Sequence, residues 1–211
     1  MGIAAAKTIA FIAFLLASVL VFPPGSASSG VYYTSLSFFM IALFLSSLGK
    51  GFPYGISYLR LVPKSREVPS LALQGIAALL LSITVAVLSS VLLGWLGFLD
   101  AELVGQKIVQ LPAVSLVLAF SLAPIGEEAL FRGYLFRKIS EASGSWALGA
   151  LLSSAVFAAM HVLYGSVAEI AVAFLIALVF CAFTQRAKSL LPAILAHSLF
   201  NFISIISTVF L

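Results

Sequence analysis

Apolar residues run through this chain in long blocks separated by short polar stretches. Seven blocks stand out, at 3–22, 32–49, 70–99, from near 108 to Arg137-Lys138, 146–163, 167–184 and 189–211. A helix needs about 20 residues to cross ~30 Å of hydrocarbon at 1.5 Å per residue, so each block predicts one membrane-spanning helix. The third block would reach ~45 Å, so it must tilt, project or break. Gly94 and Gly97 are its natural break points, with Trp95 as an interface anchor. Pro124 predicts a kink in the fourth. The first block stops at Pro23-Pro24-Gly25. Its Lys7, its apolar core and the following Ser-Ala-Ser-Ser also have the form of a secretory signal peptide, and cleavage there would leave six spans with the same sidedness.

The polar stretches carry the orientation. Segment 50–69 holds Lys50, Arg60, Lys64 and Arg66 against one acid, is interrupted by Pro53, Pro63 and Pro69, and interleaves Phe52, Tyr54, Tyr58, Leu59 and Leu61. This mixture predicts a segment lying against the membrane surface, where its first role is to set topology. With seven spans, nine of the eleven Lys and Arg residues fall toward one side, Lys107 lies on the other, and Arg132 sits inside the fourth block. The positive-inside rule then puts the N-terminus in the cytoplasm and the C-terminus outside.

Composition agrees with this picture. Hydrophobic residues make up 63% and charged residues 9% of the 211 residues, and the mean hydropathy is +1.21. Soluble domains average about 45–50% apolar and about 25% charged. The expected fold class is therefore all-α, a polytopic bundle of about seven transmembrane helices, with residues 1–211 forming a single integral-membrane domain. The net charge of +4 sits in the loops and orients the chain; it is no sign of a nucleic-acid partner. The one cysteine, Cys181, cannot form an internal disulfide and reads as a buried small hydrophobe.

Against that background a few polar residues stand out. Glu127 and Glu128 lie inside the fourth block with Arg132 one turn on, so Glu128 and Arg132 share a helix face and can pair, while Glu127 projects about 100° away. An unpaired carboxylate at that depth costs at least ~2.5–3.5 kcal/mol and is a functional-site hypothesis by default. The two histidines of the chain, His161 and His197, lie in the fifth and seventh blocks. Phe157 shares a face with His161, and Asn201 with His197. Taken singly, each histidine or asparagine is more often a helix-to-helix hydrogen-bond partner than a catalyst. Taken together, Glu127 with His161 could hold and deprotonate a water, and His197 with Asn201 could stabilise the oxygen anion formed as that water attacks a carbonyl. The spacing alone does not say peptide rather than ester.

Glu-Glu-x-x-x-Arg at 127, 128 and 132, Phe-x-x-x-His at 157 and 161, and His-x-x-x-Asn at 197 and 201, in that order on three apolar helices, resemble the three motifs of the CAAX-protease and bacteriocin-processing family. These are intramembrane glutamic endopeptidases related to the type II CAAX prenyl endopeptidase. The resemblance covers about residues 120–205 and implies a catalytic core on the fourth, fifth and seventh helices. It implies Glu127 as the water-activating base assisted by His161, an oxyanion site of His197 and Asn201, and support from Glu128 and Arg132. Phe157 would form a wall of the site. The implied partners are a peptide or the C-terminal tail of a membrane-associated protein, prenylated in the CAAX case, and membrane lipid. The implied location is the cell membrane, with the active site toward the cytoplasm.

Three other readings compete. Zinc could be held by two histidines and a carboxylate, but there is no His-Glu-x-x-His, and Asn201 is a poor zinc ligand, so no cofactor is expected. A transporter would also bury ionisable residues, but it predicts paired broken helices in a repeat, which this sequence lacks. A non-catalytic scaffold or bacteriocin self-immunity protein on the same fold could keep every motif residue. Depth poses one difficulty. Glu127 and His197 lie ~15 Å from the cytoplasmic boundary and His161 ~24 Å, so the fifth helix must tilt or begin inside the protein for them to meet.

Overall fold

Every apolar block that falls within the described residues, 29–100 and 102–210 of a computed structural model, becomes helical. Among the described residues, six helices are long and apolar enough to cross a membrane and there is no strand. The first block, 3–22, lies outside the described residues. In chain order, α1 spans Ser29–Ser47, the short α2 Phe52–Leu59, α3 Val68–Trp95, the short α4 Glu102–Val109 and α5 Ala113–Glu128. A π-helical stretch, Ala129–Phe136, then leads into α6, Arg137–Ser143. The chain continues as α7 Trp146–Met160, a tight turn at His161–Tyr164, α8 Val167–Ala187 and α9 Leu191–Phe210. The protein is a multi-pass membrane bundle.

The helix ends follow local chemistry. Ser145 and Ser166 accept bonds from the backbone N–H groups of Leu148 and Glu169, capping α7 and α8. The long third block does not break in its middle. It stays helical for 28 residues and ends in a turn at Gly97, whose φ of 80° suits glycine. Leu111-Pro112 splits the fourth block differently from the sequence reading: residues 102–109 form a separate short helix, because Pro112 cannot donate to the preceding turn. Pro124 sits inside α5, one turn before the coil widens.

Two sets of contacts show that the spans run up and down. At one end, Arg137 stacks on the Tyr58 ring at 3.9 Å and bonds the Tyr58 carbonyl, while the Tyr58 hydroxyl donates to Glu141 at 2.9 Å. Burial, followed by the Glu141 carboxylate, pushes the Tyr58 phenol above its ordinary value. The Leu190 N–H donates to the Arg60 carbonyl at the same end. The basic segment is thus pinned across the helix ends, with Leu59 fully buried beneath it against Ala42, Leu43 and Ala129. At the other end, the Lys107 ammonium donates to the carbonyls of Leu163 and Tyr164 at 2.9 and 2.7 Å, closing the turn after α7.

Asp100 caps that same end. Its carboxylate accepts bonds from the Ser166 hydroxyl at 2.6 Å and from the Val167 and Ala168 N–H groups at 2.7 and 3.1 Å. These bonds, the Ser166 one foremost, hold the Asp100 carboxyl below its ordinary range. The contribution is therefore complete above the usual aspartate range and is lost as pH falls through the lower folded value. Hydrogen-exchange protection at Val167 and Ala168 is expected to fall below about pH 4, and Asp100→Ala should show the low protection already at neutral pH. Equal protection in variant and wild type would remove the cap from the account.

Packing is through small residues, as helices in lipid require. α3, α8 and α9 meet over Ala78, Leu79, Ile176, Phe180, Ala193 and Ala196. α5 packs between α1 and α9, and α7 lies along α8. Gly126 touches the backbone of Ser35 on α1 so closely that any side chain would meet the Ser35 carbonyl. That contact fixes the turn carrying Glu127. Outward, Leu73, Leu80, Leu88, Val91 and Trp95 of α3 are exposed, as suits a lipid-facing side.

Candidate active site

The antiparallel register of the fourth and fifth spans brings the motif residues together. The Ser153 hydroxyl of α7 donates to the Phe131 carbonyl at 2.7 Å, and the Phe131 and Phe157 rings meet edge to face at 5.1 Å. Gly149 lies against the Phe136 carbonyl and Ser140. Followed one turn further, this register carries His161 to the level of the Glu127 turn. The depth difficulty disappears because α6 carries the fourth span past Lys138 to Ser143, so Glu127 and His161 lie equally far along their helices from the Ser143–Ser145 connection. Neither a steep tilt nor a buried helix start is required.

Glu128 and Arg132 are both fully buried and paired at 2.9 Å, Nη1 donating to Oε1. Aromatic rings flank the guanidinium, Phe157 at 4.4 Å and Phe180 at 5.4 Å from their centroids. Ring faces are the favourable neighbours for a cation with little water around it. Among the described residues, Arg132 Nε and Nη2 have no hydrogen-bond partner. Phe180 was not singled out from the sequence; as one phenylalanine of eighteen in an apolar block, it carried no distinguishing signal.

The same oxygen of Glu128 takes a second bond, from His197 Nδ1 at 2.8 Å. His197 Nε2 lies 3.7 Å from Glu127 Oε2. The histidine of the seventh block therefore sits between the two glutamates, with one nitrogen toward each. Glu128 is sealed, whereas the Glu127 side chain keeps 24% of its surface accessible. Of the adjacent carboxylates, only Glu127 can meet an incoming molecule.

His161 Nδ1 lies 3.0 Å from the Phe157 carbonyl. A carbonyl only accepts, so Nδ1 carries a proton, and in the neutral ring Nε2 presents its lone pair. The Phe157 ring, nearly buried, stands 4.8 Å from the His161 ring and 6.0 Å from that of His197, and so walls the space between the histidines. Asn201 makes its hydrogen bond to a neighbouring helix rather than within this cluster. Its side-chain N–H donates to the Ala119 carbonyl on α5 at 3.0 Å, the helix-to-helix bond that a lone membrane asparagine usually makes. Its amide nitrogen has a second hydrogen not used there.

Arg132, His161 and His197 thus stand around the Phe157 ring, Glu128 and Glu127 join them through His197, and Asn201 lies one turn beyond His197. Among the described residues, no three His, Cys, Asp or Glu side chains are grouped so as to hold a metal ion. Cys181 is buried beside Ser154, at 3.8 Å. The arrangement offers an accessible carboxylate beside an imidazole that a second, buried carboxylate holds in place, which is a setting for proton transfer to and from a bound water.

Residues 109–203 match the family described as type II CAAX prenyl endopeptidase Rce1-like. This agrees with the family whose motifs the sequence resembles, and the matched segment contains all seven site residues. An uncharacterized 24.3 kDa protein of Escherichia coli is 33% identical over 98 residues, 46% of this chain and 45% of that protein. The chain thus matches this relative over less than half of the relative's length. No solved structure matches.

Proposed function

We propose, on the premise that residues 109–203 are an Rce1-like segment, that this protein is an intramembrane endopeptidase in which Glu127 activates water. The observation that carries the proposal is the position of His197 between an accessible and a sealed glutamate. In a neutral His197 whose Nδ1–H is donated to Glu128, the Nε2 lone pair would face the Glu127 carboxylate. With Nε2 protonated as well, the imidazolium would face that carboxylate across 3.7 Å as an ion pair, leaving room for a substrate oxygen to take the N–H.

The steps follow from these contacts. A water between Glu127 and the lone pair of His161 Nε2 loses a proton to Glu127 as its oxygen attacks the scissile carbonyl. The developing oxyanion accepts from Nε2–H of a protonated His197, whose charge Glu128 stabilises through Nδ1. The spare Asn201 N–H is the second donor. Glu127 then passes its proton to the leaving amine and is regenerated. Glu128 and Arg132 touch no reacting atom; they orient His197 as positioning residues. The basic end, with Arg60, Arg137 and Lys188, faces the cytoplasm, and the substrate is a peptide or C-terminal tail lying at the membrane.

Purified full-length protein in detergent, offered farnesylated and unmodified Cys-a-a-X peptides and unrelated membrane peptides, tests this reading. Cleavage is expected to be lost in His197→Ala and to be indifferent to a chelator. Loss with chelator and recovery with zinc would install a metal mechanism instead. A folded sample that cuts nothing would favour the scaffold or immunity reading. The farnesylated arm decides whether the substrate is of the CAAX type.

A further inference from the structure

Two adjoining depressions open at the basic end. One, of about 380 Å³, is lined by Arg60, Lys64 and Lys188 together with Val62; the other, of about 450 Å³, by Arg66 and Arg186. Glu67 borders both. Five cations therefore face one carboxylate, and among the described residues none of the five forms an ion pair; the side-chain pairs present involve Arg132, Arg137 and His197. Glu67 Oε2 is directed to the backbone N–H of Lys64, at 3.4 Å.

The backbone adds an independent observation. Arg60 and Lys188 have φ angles of 54° and 49° and are the two non-glycine residues with positive φ among the described residues. Each ends a helix, α2 and α8 respectively, at the position where glycine is the least strained choice. Both line the same depression, and the Leu190 N–H joins them by donating to the Arg60 carbonyl at 3.2 Å. Two unrelated helices thus each accept a left-handed residue and present a cation to one hollow. Strain of this kind gathers where a ligand is held.

Height selects the ligand. The spans Ser65–Trp95 and Val167–Ala187 begin and end at these depressions, which therefore lie where hydrocarbon gives way to headgroups. Val62, 79% exposed, lines the same depression between Arg60 and Lys64 in the chain and offers it an apolar surface. We propose that the hollow formed by Arg60, Lys64 and Lys188, with Arg66 and Arg186 beside it, binds the phosphate of an anionic glycerophospholipid. The guanidinium groups grip the phosphate oxygens, the ammonium groups add charge, and the acyl chains run down past Val62. A soluble phosphate offers the same anion without the chains, and an acidic protein tail offers carboxylates. The position at the bilayer edge favours the lipid over both. The inference does not depend on proteolysis.

The full chain is reconstituted into nanodiscs of phosphatidylcholine with or without phosphatidylglycerol, and retained lipid and melting temperature are measured. Wild type is expected to retain phosphatidylglycerol preferentially. The double variant Arg60→Gly/Lys188→Gly removes two charges while relieving both backbones. It should melt no lower than wild type in phosphatidylcholine and lose the preference by about 30-fold. The Arg60→Asn/Lys188→Asn variant tolerates the same backbone and reads out the charge alone should glycine loosen the caps. Equal retention of both lipids by wild type, or an unchanged preference in the variants, would overturn the site. Inorganic phosphate or an acidic peptide that raises the melting temperature as much as phosphatidylglycerol does would overturn the lipid assignment.

Discussion

Glu127→Gln is expected to lower peptide cleavage by about 10³-fold while leaving the melting temperature unchanged. Glutamine has the shape of glutamate and can still accept a hydrogen bond, but it cannot take up a proton. The side chain is partly accessible and His197 Nε2 lies 3.7 Å from its carboxylate, beyond hydrogen-bond distance, so the substitution breaks no short structural bond. Stability is also expected to hold because the adjacent Gly126 fixes this turn against Ser35 by backbone contact. A variant that retains activity would remove Glu127 as the base. Glu128 could not replace it, since its side chain is sealed and already shared by Arg132 and His197.

Arg132→Met should be the most destabilising single change at the site, by ~3–5 kcal/mol, because it leaves the Glu128 carboxylate buried with an imidazole as its one remaining partner. The guanidinium also fills the space between Phe157 and Phe180, so part of the loss is packing. Adding Glu128→Gln should recover much of the stability, since a buried amide is cheaper than a buried unpaired charge. It should not recover activity, because His197 then lacks the carboxylate that holds its Nδ1. Chemical unfolding of the single and double variants in one detergent measures the coupling directly. A single-variant loss below about 1 kcal/mol would mean that the pair behaves like an exposed one.

The six described spans were legible because lipid imposes a length criterion that a run of apolar residues meets or fails without reference to anything else. The Glu128–Arg132 pair was legible for a related reason, since one turn of helix brings residues four apart together. What the sequence did not reveal depends on contacts between helices. His197 was grouped with Asn201, its neighbour by one turn, whereas its short bond is to Glu128, 69 residues away. The register that levels His161 with Glu127 is set by small residues, the Ser153 hydroxyl and the bare Gly149, among near-uniform apolar faces. Neither Lys107 nor Asp100 announced itself as a cap, because their targets are backbone groups brought near by the fold.

The widened coil at Ala129–Phe136 bears on how the fourth span tolerates change. Each residue of an α-helix advances the face by about 100°, and a π-helical turn holds more residues than an α-helical one. Upstream, the phase of the rod is set by Gly126 against Ser35; downstream, by Arg137 against Tyr58. The wide turn reconciles these two settings. Losing one residue from it would let the coil tighten toward an ordinary α-helix and absorb much of the ~100° step, whereas losing one from an ordinary α-helical turn between the two settings would swing the carboxylates by the full ~100°, away from His197, even though every motif residue remained in the chain.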